Sequence, residues 1–279
     1  MSILRFRPEI WSAVLLEATR TALVFSSDLV CNHDYEGDIT EMGDVVHISS
    51  IGDPTVSAYA KGDTITYEDL PDAGQTMPID QAQKFAFKVD DIDKRQARGS
   101  VMSEAMQRAA YRLAKANDAY VAGLYTGVNA ANAIATTSIT TGDLAYTGLL
   151  NLGIKLDEAD APEDGRYAVV PPWYYGLLLN NDKFVRADAS GTTDGLRNGR
   201  VGMVDNMTVV KSNQCVNVTG DDYIVQAGSN RAISFAFQIN ETEALRLQTT
   251  FADAVRGLQL YGVKLVRPDG IATLTASKT

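Results

Sequence analysis

Polar and apolar residues alternate along KFAFKV, Lys84 to Val89, with Phe85, Phe87 and Val89 on one side. Alternation with period two predicts a half-buried strand. The period then changes. Met102, Ala105, Met106, Ala109, Leu113, Ala116, Tyr120 and Leu124 recur at three- and four-residue steps in an alanine-rich stretch. That spacing predicts a helix over 90–125, and alanine favours it intrinsically. At about 1.5 Å per residue it is a rod of about 50 Å, longer than an ordinary globular domain needs.

Between strand and helix stand Asp90, Asp91 and Asp93, followed by Lys94 and Arg95. A metal site is one reading of three such acids. Hard cations, however, want oxygen ligands converging from several directions. Asp90 at a strand-to-helix junction suits a cap, and Asp91 and Asp93 suit the positive dipole end of a first turn. The pattern is therefore expected to be structural.

Elsewhere the pattern divides the chain. Ile10, Trp11, Val14, Leu15 and Ala18 form a short helical stripe after Pro8. A helix this short needs a surface to dock on, either its own body or a neighbour. Residues 36–89 are expected to be strands and turns (DVVHISSIG, PTVSAYAKG, DTITYEDL, MPIDQAQKFAFKV), punctuated by Gly and Pro and thin in large apolar residues. Such an excursion is expected to lean on another surface. Residues 126–145 are a small-residue connection. A helix over Ala145–Ala159, a buried strand over Tyr167–Val170, a Pro-Pro stop and a short helix through Leu179 follow. The stretch around Ser190–Arg200 is rich in Gly, Asp and Thr and is expected to be a loop. MTVVKSN is a strand, and DDYIVQAGSNRAISFAFQI is two strands joined at Gly228–Asn230. In the tail, Leu258 and Leu260 share one parity and Val263 and Leu265 the other, which predicts a bulge at Gly262.

Composition narrows the function. The chain has 279 residues, 45% hydrophobic and 22% charged, an ordinary globular balance with room for a large core. Its net charge is −10, and no polybasic arm is present, which argues against sequence-specific nucleic-acid recognition. The two cysteines, Cys31 and Cys215, show no framework spacing and are expected to be reduced. The N-terminus lacks a signal-peptide layout, and no apolar run reaches the ~20 residues that span a bilayer.

Candidate chemistry is thin. Cys31-Asn-His33 is half of a metal pattern, without a second pair for zinc. Cys31 or Cys215 with His33 or His47 is a nucleophile pair on paper only. Glu41 with Asp44, and Glu241 with Glu243, are possible carboxylate pairs, and solvated surface acids explain them as well. Phosphate-loop, dinucleotide, nucleophile-elbow and zinc-protease motifs are absent. No catalytic, cofactor or metal residue is assigned, and no enzyme activity is expected.

The order of parts nevertheless resembles a known family. FAFKVDDIDKRQA is similar to the passage from extended loop into spine helix of tailed-bacteriophage major capsid proteins, whose fold is named for a Hong Kong coliphage. GRVGMVDNMTVVKSNQC, YAVVPPWYYGLLLNNDKF and FADAVRGLQLYGVKLVRPDGIATL resemble later segments of that family. The likeness covers nearly the whole chain and is closest to the actinobacteriophage and P-twenty-two-like branches.

The resemblance implies an α+β fold with an N-arm (1–35), an extended loop (36–89), a spine helix with peripheral domain (90–135), an axial domain (136–245) and closing peripheral strands (246–279). It implies a coat protein that assembles through hexamers and pentamers into an icosahedral head around double-stranded DNA, built in the host bacterial cytoplasm. The implied partners are further copies of the chain, a separate scaffolding protein, a portal, a possible decoration protein and DNA held non-specifically, with no cofactor and no membrane. It also raises a Lys–Asn cross-link, for which Lys61 is the one lysine suitably placed. An encapsulin-type nanocompartment shell shares the fold and is the first alternative. A small soluble enzyme is the second.

Overall fold

The computed structural model describes residues 23–35, 45–48, 55–59, 61–62, 64, 67, 69, 74–90, 101–181 and 202–279, with side chains of 101–103 and 239–241 left aside. Two sheets organise these segments.

The larger sheet is seven-stranded. Its strands are the edge strand β4 (Ala133–Ser138), then β12 (Ile271–Ser277), β9 (Asp222–Ser229), β5 (Arg166–Val170), β7 (Met207–Lys211) and β6 (Met203–Val204), with β8 (Asn217–Thr219) pairing to β9. β5 is buried on both faces, as its RYAVV sequence predicts. Ala168 and Val170 face helices α2 (Gly142–Glu158) and α3 (Pro172–Leu179). Tyr167 and Val169 face a second cluster on the opposite side. α2 starts at a Thr141 cap, whose hydroxyl accepts from the Leu144 amide, and α3 starts from the Pro171–Pro172 pair. Gly148 brings the two helices together, since a Cβ there would meet the Tyr174 hydroxyl at 2.6 Å. At the far end of α2, buried Arg166 donates to the carbonyls of Ala161 (2.7 Å) and Pro162 (3.0 Å) and to Asp157 (2.6 Å).

The smaller sheet runs β10 (Ile233–Arg246), β11 (Ala252–Leu265), β3 (Gln81–Asp90), all antiparallel. Helix α1 (Val101–Gly123) packs on one face, with Met106, Ala110 and Leu113 against Val89 and Val255, and with Phe85 and Phe87 beside them. Its 23 residues span about 34 Å. The buried line of α1 is Met106, Ala110, Leu113, Asn117 and Val121, while Ala105, Ala109, Ala116 and Tyr120 are only half-buried. β9 and β10 follow one another closely but belong to different sheets, so the turn between them leads from one sheet to the other.

Three expectations change. Gly262 is not at a bulge: it pairs with Ala236, the Phe235–Val263 and Phe237–Tyr261 pairs continue in register on either side, and the shift lies in β10 between Ile239 and Glu241, at Asn240. The parity change in the tail has another cause. From Leu260 to Val263 the strand is covered on both faces, Leu260 by one cluster and Tyr261 and Val263 by another. Gly262 is needed for close approach, because a Cβ there would lie 2.7 Å from the Pro78 carbonyl and 2.5 Å from Ile79.

Second, the base of the 36–89 excursion has a core. β1 (Val45–Ile48) and β2 (Gln75–Pro78) pair antiparallel. Val46, Ile48, Met77 and Ile79 are buried against Ala236 and Leu260 of β10 and β11. Each such side chain contributes about 1.5–3 kcal/mol, so this stem leans on its own subunit. Residues 23–35 also pack into that subunit: Phe25, Val30 and Cys31 join the cluster of Tyr167, Phe235 and Tyr261. Third, the small-residue connection contains a strand, β4, parallel to β12. Its AIATTS sequence has no clean alternation to announce it.

Asp90 is the last residue of β3, paired with Ala252. Asp91, Asp93, Lys94 and Arg95, the Ile10–Ala18 stripe and the Ser190–Arg200 loop lie outside the described residues.

Candidate functional site

The candidate site is a set of surfaces, and its first part is an anchor. Asp118 on α1 is buried and accepts hydrogen bonds from the amides of Val24 and Ser26, each at 2.9 Å, and from the Ser26 hydroxyl at 3.1 Å. Burial raises its carboxyl above the usual range, while these donors pull the other way. The result is a staple that fixes the chain leading out of residues 1–22 to the helix. Nothing in the apolar spacing pointed to Asp118. An acid one turn after Ala114 and just before Val121, within the buried stripe, was the signal available.

The second part is the excursion beyond the stem. Val56 (94% exposed), Tyr59 (69%) and Tyr67 (96%) sit in water, and Lys61 beside them is exposed too. These large side chains are open beyond a stem whose apolar residues are buried. Phe251, 83% exposed in the turn between β10 and β11, extends the set at the far end of the small sheet.

The third part is the sheet face opposite α1. Lys84 and Ala86 of β3, Arg256 and Leu258 of β11 and Glu243 of β10 line a shallow groove there. The Arg256 guanidinium pairs with Glu243 at 2.5 Å, and Arg246 with Asp253 at 3.0 Å. Surface pairs of this kind add little stability.

The candidates for chemistry are dispersed. Cys31 is buried, its thiol donating to the Phe25 carbonyl, and burial pushes its pKa well up. Burial likewise pushes Cys215 up to about 12. Neither is held as a thiolate. His33 packs edge-on against Phe235, with Nε2 3.5 Å from Asp28. His47 is an exposed residue of β1. Glu243 is engaged with Arg256, the side chain of Glu241 is not described, and Glu41 and Asp44 lie outside the described residues. Among the described residues, no three His, Cys, Asp or Glu side chains gather as a metal site, and no helix is long and apolar enough to cross a membrane.

Comparison with known proteins gives these surfaces a context. The family model for phage capsid protein matches residues 53–274. A solved Mycobacterium phage Che8 chain is 32% identical, with 90% of each chain covered and a TM-score of 0.72. The capsid structure of cyanophage P-SCSP1u is 18% identical, covers 86% of this chain and 85% of its own, and superposes with a TM-score of 0.69. A chain of the holo-SrpI encapsulin complex from Synechococcus elongatus shares the fold at 9% identity, with 86% and 85% covered and a TM-score of 0.56. No curated protein matches the chain. The match over most of the length, on an α+β framework, makes this chain a member of the phage capsid protein family: a major capsid protein, the coat subunit of an icosahedral virion shell.

Proposed function

We propose that the subunit builds hexamers and pentamers around double-stranded DNA, acts without enzymatic activity or cofactor, and is assembled in the host bacterial cytoplasm with a separate scaffolding protein and a portal. In this reading residues 1–35 are the N-arm, 36–89 the extended loop, 90–135 the spine helix and part of the peripheral domain, 136–245 the axial domain and 246–279 the closing peripheral strands. A decoration protein is a further partner. Lys61 remains a solvated lysine and forms no cross-link.

One observation carries the reading. The stem of the excursion is fastened to its own subunit through Val46, Ile48, Met77 and Ile79, while Val56, Tyr59 and Tyr67 are open beyond it. A lone molecule exposes this surface; a shell covers it. An interface of ordinary size buries about 1,200–2,000 Å², and open aromatic side chains are the usual anchors of one. The encapsulin alternative has the fold in common but no observation of its own to favour it.

The test is negative-stain microscopy of the expressed full chain, alone and with its scaffolding protein. Uniform closed shells with five- and six-fold clusters support the reading. A monomer at every concentration, with scaffold present, refutes it. Nucleic acid in the native particle separates a phage head from a compartment with protein cargo.

A further inference from the structure

The exposed face of α1 has a charge opposite to that of the molecule. Glu104, Gln107, Arg108, Tyr111, Arg112 and Lys115 line an open depression along it. Arg108 is paired with Glu104 at 2.6 Å. Among the described residues Arg112 and Lys115 have no ion pair. The chain carries 35 Asp and Glu against 25 Lys and Arg, so three cations with one acid on one helical face is a local reversal of the overall balance.

We infer that this face is where the coat subunit touches the phosphate backbone of the packaged DNA. Steps of four and three residues put Arg108, Arg112 and Lys115 on one side of the helix. They extend over about 10 Å at 1.5 Å per residue. That covers about three successive phosphates of one strand, at roughly 3.4 Å of duplex axis each. Two of the three cations are arginines, whose planar fork matches phosphate oxygens. The depression is open and has no enclosed apolar pocket to seat the side chains of an acidic protein segment, so a rod-like polyanion is the better fit. The interaction is independent of sequence, because no base edge is read by cations on phosphates.

The inference rests on the reading of the chain as a shell around DNA, and shell formation is scored separately. The experiment is binding of a short random-sequence DNA duplex to the full-length protein over a series of salt concentrations. The proteins are the natural chain, Arg112→Gln/Lys115→Gln, the charge-preserving Arg112→Lys/Lys115→Arg, and Lys211→Gln/Lys278→Gln, two exposed lysines at the larger sheet.

The slope of log K against log salt should flatten by about 1.8 in the first variant, about 0.9 for each phosphate that is no longer neutralised. It should stay at its natural value in the charge-preserving variant and in the Lys211/Lys278 variant. No duplex binding by the natural chain, an unchanged slope in Arg112→Gln/Lys115→Gln, or an equal flattening in Lys211→Gln/Lys278→Gln overturns the inference. So does retention of poly-glutamate as tight as that of duplex at equal charge, which would mark a protein-docking face. If shells form and the slope does not move, this inference fails and the coat reading stands. If no shells form with scaffolding protein present, the coat reading itself fails.

Discussion

Replacing Asp118 by alanine tests how the segment that leads out of the N-terminal region is held. The carboxylate accepts from two backbone amides and one hydroxyl, all within 3.1 Å, in a buried position. Alanine leaves the Val24 and Ser26 amides without that acceptor. A buried unsatisfied group costs about 1–3 kcal/mol, which for two amides is about 2–6 kcal/mol. Removal of the carboxylate also relieves its own burial, the effect that raises its pKa. The net loss is therefore placed near the low end, at about 2–3 kcal/mol.

The assay is urea unfolding of the unassembled subunit, with amide exchange at Val24 and Ser26 as the local readout. A variant within about 0.5 kcal/mol of the natural chain, the range of a neutral surface change, refutes the staple. The sign with pH is also fixed. A carboxyl raised from 3.8 binds more protons folded than unfolded across the window between 3.8 and its folded value. The stability gained from that proton uptake is fully present below the window and is lost as pH rises through it, while the hydrogen bonds to Val24 and Ser26 remain. Asp118→Asn should remove this slope.

Other outcomes follow from the same packing. Gly262→Ala should destabilise the subunit by about 1–3 kcal/mol, because the clash is with the Pro78 backbone; an unchanged urea midpoint contradicts this. Arg166→Met should cost about 2–4 kcal/mol, since the carbonyls of Ala161 and Pro162 lose their donor; a melting temperature equal to the natural one contradicts this. Cys31 and Cys215 should resist maleimide at neutral pH in the folded protein and react on unfolding, given their burial and raised pKa values. Labelling of the folded subunit would refute that.

Much of the fold was legible because single faces are buried. The alternation of Phe85, Phe87 and Val89 marked β3, RYAVV marked a strand covered on both sides, and Pro171–Pro172 marked the start of α3. The failures share a cause: a residue answering to more than one surface. Gly262 looked like a bulge because β11 passes from one covered face to two. The stem looked coreless because its partners, Ala236 and Leu260, lie more than 150 positions along the chain. Asp118 broke the apolar stripe of α1 for the sake of amides 92 and 94 positions away. The surfaces were legible only in outline. Composition marked the excursion as thin in large apolar residues, but not which of them its stem buries or that Val56, Tyr59 and Tyr67 are its open ones.

The most direct test of self-completion is the variant Val56→Ser/Tyr59→Ser/Tyr67→Ser, measured by sedimentation velocity for assembly and by thermal melting for the subunit. Because all three side chains are exposed in the lone molecule, the subunit should melt like the natural chain and fail to close shells. Shells formed at the natural yield, or a subunit that unfolds, would contradict the account.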